Sequence, residues 1–497
     1  MNLMPGMFNR SITLFALAAL SIAMIPNASQ GQQEQPPPPS QPRSVQFPKP
    51  VEKTLKNGLR VVVVERPGSS LVSARLLIKH GSEVDPPQLA GLADMTATLL
   101  TKGTERRSAP EIAEAIEALG GQLESGARWD ASHATLTIMA SRIEPAMEIL
   151  SDVVRRPTFK EEEIERLRQQ SLDDLSVAMS QPGTVARFVA SRVIFGDAPY
   201  GHPSAGTPEA IARIKRDDIV RLHSTYYRPD NAILVIGGDI RATDAFTQAE
   251  RLFGDWAKPA APAPQPSAEV SKEMAADAKP RVVVIDMEHA GQAAVVLARP
   301  GLKRTDPEYF RALVANSVLG GGYSARLNQE IRIKRGLSYG ASSTLDVRRG
   351  IGPFLAATQT KNESGAVVAS LLIDELGRLA SDTIAETELT PRKAALMGNF
   401  ARDLETTDGL VAQVGSLALY GLSFDEINSY LSSVQAISAG DVQKFAGTRL
   451  DNKGANIIIV GNAKMFIDEL RKRFPIVEVI PEKELDLNSA TLRKKQG

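Results

Sequence analysis

Asp94, Ala97 and Thr98 stand three and four residues apart in the segment Gly91-Leu-Ala-Asp94-Met-Thr-Ala97-Thr98-Leu-Leu-Thr-Lys102-Gly103-Thr104. On a helix that spacing puts all three on one face, aimed at one point in space. Two imidazoles and a carboxylate at such positions would hold a zinc ion and take a proton from its bound water. Here Asp94 offers one oxygen, Thr98 is a poor zinc ligand, and Ala97 cannot act as a base. The five histidines, His80, His133, His202, His223 and His289, are scattered, and no two share a ligand spacing on one helix.

A second group of chemically capable residues lies in Leu319-Gly-Gly-Gly-Tyr-Ser-Ala-Arg326-Leu-Asn-Gln-Glu330-Ile-Arg332-Ile-Lys-Arg335-Gly336-Leu-Ser-Tyr339. The glycines at 320–322 give a turn, Ser324 is placed as the helix N-cap, and Gly336 suits a left-handed residue ending the helix. A strand then starts near Leu337, which brings Tyr339 out beside the helix end and Arg332. A guanidinium and a phenol together offer fixed donors to a carbonyl oxygen that becomes an oxyanion. The bland alternative leaves Arg332 on a solvated helix and Tyr339 as an ordinary sheet residue. A weaker element is Leu119-Gly-Gly-Gln-Leu-Glu124-Ser125-Gly126-Ala127, read either as a sheet edge able to take an added peptide strand or as an ordinary hairpin connection.

Both segments resemble signatures of the pitrilysin/insulinase family of inverted-motif zinc peptidases, whose helix reads Gly-Leu-Ala-His-Phe-Leu-Glu-His before a Lys-Gly-Thr end. In that frame Asp94 and Thr98 replace the histidines and Ala97 the glutamate. The family's third ligand, a glutamate about 75 residues downstream, corresponds to Asp174. Two carboxylates without imidazole make a weak, unselective site at best, so the resemblance implies no metal and no cofactor in this chain. The 320–339 segment resembles the family's Arg/Tyr segment, which implies Arg332 and Tyr339 as the pair that reaches the scissile bond. Ser125, Gly126 and Ala127 correspond to the substrate-binding edge strand, although the family commonly has Asn-Ala there.

Some members of the family divide the site between two subunits, one with zinc and one with the Arg/Tyr pair. The resemblance therefore implies a metal-free subunit that binds unfolded peptides and donates Arg332 and Tyr339 to a homologous zinc-bearing partner. Two rivals remain: a non-enzymatic structural or peptide-binding subunit, and an autonomous metallopeptidase with an unusual Asp94/Asp174 site.

The elements that must position these residues are legible too. At 497 residues the chain has room for two domains, and 43% apolar residues can fill two cores. Lysine and arginine (58) balance aspartate and glutamate (58), which gives no electrostatic footprint for nucleic acid. Arg10, an apolar run at 12–25 and small polar residues to Gly31 read as a signal peptide, residues 1–31, for an exported and periplasmic protein with no stable membrane insertion, the alternative being an uncleaved signal that anchors it. With no cysteine, an exported chain of this kind relies on core packing for its stability.

A Pro/Gln-rich spacer at 32–50 and a Pro/Ala-rich linker at 257–280 bracket a first domain, 51–256, and a second, 281–482, with a frayed polar tail at 483–497. The halves look duplicated: strand-like runs at 231–239 and 455–462 each end in glycine and each follow a similar helix, at 214–222 and 437–445. Strands at 59–64, 71–78, 281–286 and 293–298 precede long helical stretches at 110–119, 161–179 and 307–319. That order predicts an α+β fold with helices on one face of a mostly antiparallel sheet in each half. The resemblance implies that the two halves form a clamshell.

Overall fold

The computed structural model describes residues 47–262 and 279–494. The expected signal peptide, most of the 32–50 spacer, and most of the 257–280 linker lie outside the described residues. Residues 60–65 and 71–78, both rich in Val, Ile and Leu, form strands β2 (Arg60–Glu65) and β3 (Leu71–Ile78). With β1 (Val51–Thr54), β4 (Gln122–Ala127), β5 (Ser132–Met139) and β6 (Ala232–Gly238) they build a six-stranded sheet in the order β1-β2-β6-β3-β5-β4. The second half repeats the plan with β7 (Val282–Asp286), β8 (Ala293–Pro300), β9 (Ala341–Leu345), β10 (Pro353–Thr360), β11 (Asn456–Gly461) and β12 (Glu478–Pro481), in the order β12-β7-β11-β8-β10-β9.

Five strands correspond one to one between the sheets. The pairs β2/β6 and β7/β11 are parallel, and β6/β3/β5/β4 and β11/β8/β10/β9 are antiparallel. Only the outer strand differs, since β1 runs antiparallel to β2 whereas β12 runs parallel to β7. Each lobe is thus a mostly antiparallel sheet flanked by helices, the α+β architecture the sequence predicts, and the matched ladders fit duplication.

The central strands carry continuous apolar runs, which signals burial on both faces. In the first sheet Val61, Val63, Leu76, Leu136 and Leu234 pack under helices of their own half. On the reverse face Val62, Val64, Leu77, Ile233 and Val235 meet Leu410, Val411, Val414 and Leu417 of helix Thr407–Tyr420, which belongs to the second half. The exchange is reciprocal. Val185, Ala186, Val189 and Ala190 of helix Pro182–Phe195, from the first half, cover Val283, Ile285, Val296 and Ile458 of the second sheet. Each of the buried leucines contributes on the order of 1.5–3 kcal/mol, so these two crossing helices interlock the lobes. A helix therefore lies on the second face of each sheet in addition to the face-covering helices expected.

The frayed tail is corrected by the structure. Leu485, Leu487 and Leu492 are buried against helix Pro182–Phe195, and Arg192 of that helix donates from Nε to the Leu487 carbonyl at 2.7 Å. Three leucines within a polar stretch are enough to dock it where an apolar face is waiting. Among the described residues no helix is long and apolar enough to cross a membrane.

Candidate peptide-binding site

Asp94, Ala97 and Thr98 lie on helix Leu92–Leu99, which packs against edge strand β4. Asp85 supplies the cap that no residue of the helix itself provides. Its carboxylate accepts from the Gly91 and Ala93 N–H groups, each at 2.8 Å, and satisfies two first-turn donors. Burial pushes the Asp85 carboxyl well above its ordinary range, opposed by those two backbone bonds. Asp94 is also pushed up by burial, against a hydrogen bond from the Ala127 backbone of β4. Ala97 is fully buried and Thr98 half-buried, while Asp174 is exposed on helix Glu161–Met179.

A zinc ion does not fit this donor set. The one carboxylate on the helix face is held toward its protonated form and already bonded to β4, and its neighbours at 97 and 98 are a methyl group and a hydroxyl. Among the described residues no group of three or more His, Cys, Asp or Glu is placed to hold a metal. Three of the histidines serve packing instead. His80 Nδ1 lies 2.9 Å from Glu83 Oε1, both ring nitrogens of His202 lie 3.0 Å from carbonyl oxygens, and His223 stacks on Tyr227 with Nε2 2.9 Å from the Val154 carbonyl.

Ser125, Gly126 and Ala127 fall in β4, the terminal strand of the first sheet, paired on one side only, to β5. Among the described residues Ser125 Oγ is buried with no hydrogen-bond partner. Beyond Ala127 the β4–β5 hairpin reaches into the second half. Asp130 accepts from Tyr200 Oη at 2.5 Å, Tyr420 Oη at 3.1 Å and the Arg349 N–H at 2.7 Å, and the Arg348 guanidinium lies 4.3 Å from the Trp129 ring centroid. Arg348 and Arg349 belong to the β9–β10 hairpin, the duplicate of β4–β5. The tips of the two related hairpins clasp each other, which fixes the edge strands β4 and β9 in one frame. Burial and the adjacent Asp130 push both tyrosine hydroxyls above their ordinary range, so they remain donors at any neutral pH.

In the second half, Arg332 lies in a π-helical turn, Gln329–Ile333, that follows the short helix Arg326–Asn328. Such turns are rare and concentrate at functional sites. Gly336 takes a φ of +63°, the left-handed residue the sequence predicts, and its N–H closes on the Arg332 carbonyl at 2.9 Å. Ser324 is not the N-cap. Ala325 holds that position, and the Ser324 hydroxyl instead accepts from the Arg392 guanidinium, because the helix starts one residue later than expected.

The guanidinium of Arg332 lies over Tyr323, 4.9 Å from the ring centroid. Tyr339, just before β9, is 88% exposed, and Tyr323 and Ile333 are exposed beside the same turn. Tyr323 is the residue that sequence reasoning passes over: it stands nine positions before Arg332, a spacing that follows no helical period across the Gly turn. Asp130 and Arg349 are likewise invisible before folding, being 219 residues apart.

Two family models match this chain. One described as "Insulinase (Peptidase family M16)" covers residues 60–207, and one described as "Peptidase M16 inactive domain" covers 213–396. A protein of Streptomyces coelicolor described as an uncharacterized zinc protease is 26% identical over 83% of this chain and 89% of its own length. One of Bacillus subtilis with the same description is 25% identical over 77% and 91%. Among solved structures, a peptidase M16 inactive domain from Pseudomonas fluorescens superposes with a TM-score of 0.76 at 26% identity, covering 83% of this chain and 98% of that one. A protease from Helicobacter pylori shares the fold at a TM-score of 0.78 and 20% identity, over 83% and 100%. With the two family models matching 60–207 and 213–396 in succession, the chain belongs to the pitrilysin/insulinase (M16) peptidase superfamily, including a domain of its inactive type.

Proposed function

We propose that this chain is the metal-free subunit of an exported, periplasmic heterodimeric metallopeptidase. It binds unfolded peptides as added strands on β4 and donates Arg332 and Tyr339 to the zinc site of a homologous partner, which carries the zinc ligands and the base. The observation that carries this reading is the opposite state of the two segments. The motif helix has no ligand set, whereas the π turn holds a half-buried Arg332 against the ring of Tyr323, with Tyr323 and Tyr339 beside it open to a second molecule. The Tyr339 phenol stands out in solvent, and a partner's reacting carbonyl gives it and the Arg332 guanidinium a shared role.

The test is reconstitution. The purified chain is mixed with a zinc-bearing homologue from the same organism, and cleavage of an unfolded peptide is followed with each alone and together. The reading expects no cleavage by this chain alone, zinc only in the partner, and a large gain on mixing. Stoichiometric zinc in this chain would favour the autonomous Asp94/Asp174 peptidase instead. Stable association without any gain in cleavage would favour the structural subunit.

A further inference from the structure

The crossing helix Thr407–Tyr420 packs on β3 and β6 and leaves the β5 and β4 side of that sheet face uncovered. A cavity of about 550 Å3 fills the gap. Leu77, His133, Trp129, Leu419 and Tyr420 line it, with Glu124 and Arg128 exposed. Arg75 and Arg348 line it too, each already paired to a carboxylate, of Asp408 and Asp346 respectively. The register explains how β4 faces it. Gly126 pairs with His133 and Glu124 with Thr135, so Glu124 and Gly126 share the face of His133, while Ser125 points the other way.

Gly126 leaves the His133 ring uncovered on its sheet-edge side. A side chain there would sit over the imidazole, with its Cβ 3.5 Å from His133 Cε1. The side chains of Glu124, Arg128 and His133 make no hydrogen bond or ion pair among the described residues, unlike most charged groups nearby. Burial and the neighbouring Arg75 and Arg128 hold the imidazole neutral, with its pKa lowered to about 4. A neutral imidazole offers one donor and one acceptor.

We propose that this cavity is a subsite for a tyrosine or tryptophan side chain of an extended peptide laid along β4, the ring turning over Gly126 between Trp129 and Leu419. The inference rests on β4 acting as the peptide-binding edge. Its chemistry follows from the lining: the apolar and aromatic walls take a ring, and neutral His133 meets a hydroxyl or indole N–H at its tip. Arg75 and Arg348 are already engaged by Asp408 and Asp346, and the exposed Glu124 and Arg128 carry opposite charges, so neither sign of charge gains a dedicated buried partner. A charged side chain would lose its hydration there without replacement. The counterpart beside β9 is smaller, about 300 Å3, and Arg187 of the other crossing helix lines it.

The test measures binding of two fluorescent ten-residue peptides, alike except for a central Tyr or Ala, to the whole chain and to His133→Leu and Leu419→Ala. Both variants are checked for an unchanged melting curve, and neither residue lies on the edge strand β4. The Tyr peptide is expected to bind at least tenfold more tightly than the Ala peptide. Either variant should reduce that ratio to within twofold while leaving the Ala peptide unaffected. Equal binding of both peptides to the unmodified chain, or equal weakening of both by the variants, overturns the subsite but leaves the edge intact. Binding of neither peptide overturns the edge reading and the subsite together.

Discussion

At the scale of single residues, Tyr339 stands 88% exposed, while the half-buried Arg332 rests its guanidinium on the exposed Tyr323 ring. Arg332→Ala or Tyr339→Phe should lower the turnover of the reconstituted peptidase by roughly 100-fold, the usual cost of losing a donor to a developing oxyanion. Unchanged turnover in both variants would remove their proposed role. Tyr323 belongs in the same experiment. The face of its ring holds the Arg332 guanidinium at 4.9 Å, so Tyr323→Leu should weaken turnover less than Arg332→Ala, by freeing the arginine rather than deleting it. The sequence marks Arg332 and Tyr339 through their setting of glycines and helix end, but Tyr323 owes its contact to a turn whose path no local spacing encodes.

The elements that decide the architecture are the two crossing helices. Leu417 is fully buried on helix Thr407–Tyr420, in the cluster that also contains Val62, Val64 and Val235 of the opposite half. Leu417→Ala should cost about 2–5 kcal/mol in denaturant unfolding, for lost transfer energy and a cavity. Amide exchange should accelerate in β2, β3 and β6, not only in the mutated helix. Loosening confined to the second half would mean that the lobes hold together by something other than this exchange. Strand and helix positions such as 71–78 and 161–179 are legible from periodicity alone, since the periods of two and 3.6 are written into each segment. Which sheet a helix covers is not, because an apolar stripe fits either partner equally well.

Across the whole molecule, buried titratable groups set an acid limit on stability. Burial lowers the pKa of His133 to about 4; it does the same for His223, opposed there only by the Val154 carbonyl. Their folded pKa values lie below the ordinary 6.5, so the unfolded chain takes up more protons between pH 6.5 and 4. The stability they allow is complete above that window and falls as the pH drops through it, by at most about 1.4 kcal/mol per pH unit for each histidine. Asp85 and Asp94, both pushed up, act with the opposite sign and cost stability as the pH rises. Denaturant midpoints should therefore be lower at pH 5 than at pH 7, and His223→Phe should shrink the difference. An equal difference in the variant would show that His223 does not contribute.

The sequence by itself determined what each segment is able to do. The residue types at 94, 97, 98 and 174 offer at best a weak, unselective metal site, and the matched strand endings already announce duplication. Alternation and apolar runs set the sheets, since side-chain periodicity is a property of the chain read in order. Only the tertiary structure decided which distant segments meet: the lobes interlocked by exchanged helices, the Asp130 and Arg349 clasp, the docked tail with Leu485 and Leu492, and the cavity over His133. Those contacts join residues a hundred or more positions apart, and their partners are chosen by shape and by the burial of whole faces. No short-range pattern carries that information.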